Sequence, residues 1–196
     1  DAFVHTWYDQ AGSNDAVQDT SANQPKIAEN GALLADGIEF DGTNHFLSTS
    51  SSFSLTSSDD LSFFTVYKPD VTNATLTVLS QEDGTGTGRG WLSLRSDADI
   101  ASFIGGTEKT FFSAKSTTNE TLTSVIYDDS ANTIDGFLNA VTGTQGTSIT
   151  AEAASGSLNI GESKSSDERF DGTMKEIIVY LSDQTDNRFK IESNIN

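Results

Sequence analysis

Apolar side chains fall along this chain in short runs that alternate with polar residues or are rich in β-branched and aromatic types. The pattern predicts strands at Phe3–Tyr8, Gly37–Phe40, His45–Thr49, Leu61–Lys68, Thr75–Gln81 and Gly90–Arg95. It continues with Asp99–Ile104, Lys109–Ala114, Thr121–Tyr127, Thr133–Asn139, Gly156–Gly161 and Met174–Leu181. Gly and Asp punctuate the gaps, as at Asp83-Gly84, Gly105-Gly106, Asp135-Gly136 and Asp171-Gly172. So many short strands at this spacing predict an all-β fold, a two-sheet antiparallel jelly-roll sandwich. Gln10–Asn30 is polar and reads as a long ordered loop. Ser48–Ser58 is Ser-rich, but Phe53 and Leu55 alternate within it, so it reads as a strand or tight loop. Ser182-Asp183-Gln184-Thr185 predicts a helix start, because Ser or Asp caps free N–H groups. Phe189, Ile191 and Ile195 then make a short amphipathic C-terminal helix.

The 196 residues fit a single domain, 1–196, expected to be excised from a larger protein with neighbouring domains. Hydrophobic content is only 35%, but 12 Phe, 4 Tyr and 2 Trp supply large buried areas. Ser and Thr number 26 and 24, which suits turns and pleated surfaces. The net charge is −18, so the chain lacks the basic stripe that a nucleic-acid partner requires. An anionic membrane surface repels it, and no apolar run is long enough to insert. With no Cys, disulfides, zinc–thiolate sites and Cys nucleophiles are excluded together. The acidity suits an extracellular or particle-surface setting, whether secreted, cell-surface or virion.

Two segments carry a resemblance. Gly37-Ile38-Glu39-Phe40-Asp41-Gly42-Thr43-Asn44-His45-Phe46-Leu47 resembles the FDG strand-turn-strand of concanavalin A-like lectin/glucanase domains, LamG-like jelly rolls in particular. Leu158-Asn159-Ile160-Gly161 followed by Phe170-Asp171-Gly172-Thr173-Met174-Lys175-Glu176-Ile177-Ile178-Val179-Tyr180 resembles the closing strand of the same superfamily. The two frame most of the chain. A third segment, Trp7-Tyr8-Asp9-Gln10-Ala11-Gly12-Ser13-Asn14-Asp15-Ala16, is similar to the opening of some bacterial surface proteins, phage structural proteins and family 54 arabinofuranosidases. That enzyme family carries cysteines near its active site and this chain has none, so no catalytic carboxylate is carried over. Function has to be argued from a site and not from the fold.

In Gly90–Arg95, strict alternation sets Leu92 and Leu94 toward the core and Trp91, Ser93 and Arg95 on the opposite, wet face, with Arg89 beside them. An aromatic ring stacks on the apolar face of a sugar and arginine donates to its hydroxyls or carboxylates, so these four form the first expected carbohydrate platform. The Gly-rich Asp83–Gly90 reads as a loop beside it. Trp7, Tyr8, Asp9 and Gln10 are the second: an aromatic ledge with two polar groups. Their plainer reading is that Trp7 is core while Asp9 and Gln10 bond to the backbone of the loop that follows.

The resemblance implies a structural Ca²⁺. Asp41 and Asp171, both in FDG turns, are its expected ligands, with Asp167 and Glu168 nearby; the plainer reading of each Asp is an Asx-turn. Glycosidase chemistry needs two carboxylates across a cleft, and 29 acidic residues single out no pair. His5 and His45 are the only bases for a Ser–His–Asp triad, and no G-x-S-x-G elbow occurs. The expected function is therefore a non-catalytic glycan-recognition or adhesion module of a bacterial surface protein or phage structural protein, its partner a cell-surface or extracellular polysaccharide. A glycoside hydrolase on the same sandwich and a purely structural decoration domain are the alternatives.

Overall fold

Leu61–Pro69, buried at every position but Lys68, becomes a central strand of the larger sheet, because both its faces find cover. Leu61, Phe63 and Tyr67 enter the sandwich core, while Phe64 turns to the other face and meets Tyr180 edge-on at 6.2 Å. The strand pairs antiparallel with Thr121–Asp128 on one side and Asp171–Tyr180 on the other. The computed structural model describes residues 1–82, 88–105, 107–163 and 168–195. Within them the larger sheet runs Ala2–Phe3, Lys26–Glu29, Ile38–Asp41, Asp171–Tyr180, Leu61–Pro69, Thr121–Asp128, Thr133–Leu138, Val141–Thr142. The smaller sheet runs Thr107–Ser113, Asp99–Gly105, Gly88–Leu94, Leu76–Glu82, Leu158–Ile160, Leu47–Thr49, Ala16–Val17, Thr6–Trp7. A small ribbon of Phe53–Leu55 and Ala154–Gly156 accompanies them. This is the expected two-sheet antiparallel sandwich with one short C-terminal helix.

Several elements differ from the sequence pattern. Phe3–Tyr8 is not one strand: Ala2–Phe3 joins the larger sheet and Thr6–Trp7 the smaller, so the chain crosses between layers at Val4-His5. The Gln10–Asn30 stretch holds Ala16–Val17, a 3-10 turn at Ser21–Asn23 and Lys26–Glu29. Its polarity misleads because these are short strands near the ends of the two sheets, with one wet face. Asn30 and Gly31 both take positive φ, which makes the tight hairpin to Ala32–Leu33.

The C-terminal helix is Arg188–Glu192, after a 3-10 turn at Thr185–Asn187. Its buried side chains are Arg188 and Glu192, whereas Phe189 stays 69% exposed. The expected apolar face is therefore not the packed one. The helix lies on a polar part of the larger sheet, where Ser124 Oγ donates to Glu192 (2.8 Å), Arg188 donates to Glu192 (2.7 Å), and the guanidinium covers Phe137 at 3.8 Å. A paired charge over an aromatic ring satisfies that surface.

Candidate functional site

Trp91 is fully buried and stacks on Phe63 across the sandwich, ring centroids 5.8 Å apart. The expected wet platform is thus overturned at its central residue. The cause is a bulge. Gly90 pairs with Phe103 and Ser93 with Ala101, so Trp91 and Leu92 together face the single residue Ser102. A bulge suspends alternation, and two successive side chains then enter the same core. Leu92 and Leu94 are also fully buried, and Ser93 is 9% exposed. Arg95 is half-exposed and its Nε lies 3.3 Å from Glu108. The side chain of Arg89 lies outside the described residues, as does 83–87 of the Gly-rich segment. Beneath Arg95, the buried Lys115 donates to the carbonyls of Ala74 and Arg95, both at 2.7 Å, and burial pushes its pKa down.

The expected calcium ligands, Asp41 and Asp171, lie in the larger sheet. Asp41 Oδ1 accepts from the amides of Thr43, Asn44 and His45, each at 3.0 Å. Burial resists its ionisation, but the amides of Asn44, Thr43 and His45 outweigh that and hold the carboxyl below the usual range. Asp171 sits opposite Asp41 in the ladder. Burial, then the neighbouring charges of Asp70, Asp41 and Glu39, push its carboxyl up. Among the described residues no group of three or more acidic or histidine side chains is set to hold a metal. Asp41, already engaged by three amides, and Asp171 do not by themselves fit a calcium cage; Asp167 lies outside the described residues, and Glu168 accepts from Thr77.

The second expected ledge lines a groove of about 660 Å³. The smaller sheet brings Trp7, Leu158 and Ile160 to it, the loop after Trp7 brings Tyr8, Asp9 and Gln10, and the larger sheet brings Ile177 and Val179. Two local features open it. Ile38–Asp41 pairs with the closing strand only as far as Met174, because the chain turns away at Gly37. Gly37 has φ 101°, and a Cβ there would stand 2.4 Å from the carbonyl oxygen of Met174. Beyond that point Glu176–Tyr180 pairs with Leu61–Pro69 alone. Next, a bulge falls at Lys175: Met174 faces Tyr67 while Glu176 faces Val66. It shifts the phase so that Ile177 and Val179, opposite Thr65 and Phe63, turn toward the smaller sheet. The edge of that sheet is only two residues deep here, at Thr6–Trp7 and Ala16–Val17, and does not seal them; both remain half-exposed.

The polar groups of the ledge hold its shape. Asp9 accepts from the amides of Ala11 (2.8 Å) and Asn14 (3.1 Å), which keep its carboxyl below the usual range, and its own amide donates to Asp15. Gln10 donates to the carbonyl of Tyr8. So Asp9 ties the loop, as the plainer reading expects, and Gln10 bonds back to Tyr8 instead, while Trp7 is half-buried and Tyr8 is 66% exposed. Ile177, Val179, Leu158 and Ile160 are the lining residues that strand alternation alone does not select. The signal for two of them is the adjacent pair Ile177-Ile178 after Met174-Lys175-Glu176, which breaks period two and marks the bulge.

No protein-family model matches the chain, and no curated protein matches it in sequence. Solved structures do match in shape. Trypanosoma rangeli sialidase superposes with TM-score 0.64 at 13% identity, over 93% of this chain and 29% of that one. The CBM40 of Ruminococcus gnavus IT-sialidase, bound to α2,3-sialyllactose, gives TM-score 0.57 at 14% identity, over 78% of this chain and 94% of that module. A heptameric SAP-like pentraxin of Limulus polyphemus gives 0.55 at 13%, over 76% and 77%. The chain shares the two-sheet sandwich fold of these structures. It spans less than a third of the sialidase's length, and at such identities the likeness is one of fold.

Proposed function

We propose that this concanavalin A-like domain is a non-catalytic glycan-recognition module, that its site is the Trp7–Val179 groove, and that it serves adhesion on a bacterial or phage surface as one part of a larger protein. The observation that carries this reading is the pairing of an aromatic ledge, half-buried Trp7 and exposed Tyr8, with an apolar floor in a groove of about 660 Å³. Small-ligand sites occupy roughly 300–1,000 Å³ and combine apolar lining with a few fixed polar groups, so a mono- or disaccharide fits. A ring face stacks on the C–H face of a sugar, and the tied loop presents Gln10 and Asn14 as hydrogen-bonding groups at the rim. That structural neighbours include a module bound to sialyllactose supports the class of ligand.

A glycan array followed by calorimetry on the best hit tests it. Tyr8→Ala and Trp7→Ala are each expected to weaken binding at least about tenfold, from base rates for exposed aromatic anchors. Tyr8→Ala should leave Tm unchanged, since the ring is mostly in water. Full binding by both variants would place any glycan site elsewhere and sink the proposal.

A further inference from the structure

We propose that the groove takes uncharged glycans and discriminates against sialylated or otherwise carboxylated ones. This inference rests on the glycan reading above and adds a ligand class to it. The first support is the charge of the lining. Its charged members are Asp9, Glu176 and Lys175. The one cation among these described lining residues, Lys175, already has Glu120 on its Nζ. Asp9 stays ionised because its oxygens sit on backbone amides. Among the described residues no arginine lines the groove, so the bidentate fork that best receives a carboxylate is missing from that lining. The field of a chain with net charge −18 acts in the same direction.

The second support is the kind of hydrogen bonding on offer. Along Glu176–Tyr180 the closing strand has a ladder partner on one side only, and this stretch borders the groove. An unpaired strand edge presents N–H donors and C=O acceptors alternately. Sugar hydroxyls both donate and accept, so they match such an edge; a carboxylate only accepts and leaves the carbonyls facing an anion. The same unpaired edge could receive an extended peptide as an added strand. The aromatic ledge, with Tyr8 exposed, favours the sugar, and the peptide becomes an outcome of the test.

The experiment uses matched probes on the intact domain: lactose and N-acetyllactosamine against their α2,3- and α2,6-sialylated forms, and neutral plant oligosaccharides against oligogalacturonates. Binding is read at low and at high salt, for the wild type and for Gln10→Lys, which sets a cation at the rim where the glutamine's side chain bonds only to the carbonyl of Tyr8. In each bound pair the neutral sugar is expected to bind at least about tenfold more tightly at low salt, with the gap narrowing at high salt and in Gln10→Lys. If acidic members bind equally or better, and Tyr8→Ala still abolishes binding, the charge inference falls while the glycan reading stands. If no glycan binds, or only extended peptides from a random-sequence library bind, both fall.

Discussion

The two tryptophans of this chain occupy opposite kinds of place. Trp91, in a strand that alternates cleanly on paper, is locked between the sheets against Phe63. Trp7, next to the polar stretch that opens the chain, lines an open groove. The difference lies in what surrounds each strand. Gly88–Leu94 sits between Leu76–Glu82 and Asp99–Gly105 in the middle of the smaller sheet, so a bulge there adds a ring to a closed core. Thr6–Trp7 is the outermost strand of the same sheet, and the strand it faces has lost its neighbour at Gly37. An aromatic residue at the centre of a sandwich therefore stabilises the fold, and one at an unsealed corner is free to recognise something.

The sharpest way to break this contrast is Trp91→Ala. Removing a fully buried ring from a packed core costs about 3–5 kcal/mol, so a large drop in the denaturation midpoint is expected, against a small one for Trp7→Ala. Equal midpoints for the two variants would mean that both tryptophans have the same role. Next comes Lys115→Met. Its ammonium binds two carbonyls that flank the Trp91 strand, and losing those charge-assisted bonds is expected to cost about 1–3 kcal/mol. Chemical denaturation at neutral pH reads it, and an unchanged midpoint would remove the staple from the account.

Asp171 sharpens the comparison from the other end of the closing strand. Its carboxyl holds a proton more tightly in the folded protein than in the unfolded chain. Between the ordinary carboxylate pKa and the raised one, the folded state binds more protons, so this residue's contribution to stability falls as pH rises through that interval. Asp171→Asn is expected to raise Tm at pH 7 by a few degrees at most and to change nothing at pH 3. Melts at the two pH values decide it. The smallest expected effect is that of EGTA against added Ca²⁺, since Asp41 is occupied by backbone amides; an EGTA-reversible rise in Tm would add a cation to this cluster.

The sequence by itself determined the all-β class, the central strands, the FDG turns and the absence of thiol chemistry and of a basic surface. These follow from period-two apolar patterning, from residues that favour turns and from composition, all of which are local or summed properties. It also picked out Trp7, Tyr8, Asp9 and Gln10 as a group, because aromatic and polar types stand together there. Tertiary structure alone decided which tryptophan was wet. Alternation fixes faces only while register holds, and the register slips at Trp91-Leu92 and again at Lys175. A bulge depends on what the neighbouring strands can accommodate, which no single segment records. The floor of the groove, Ile177 and Val179, is open for a related reason: a neighbouring strand ends at Gly37, some 140 residues away in the chain, and leaves half of the closing strand with a partner on one side only.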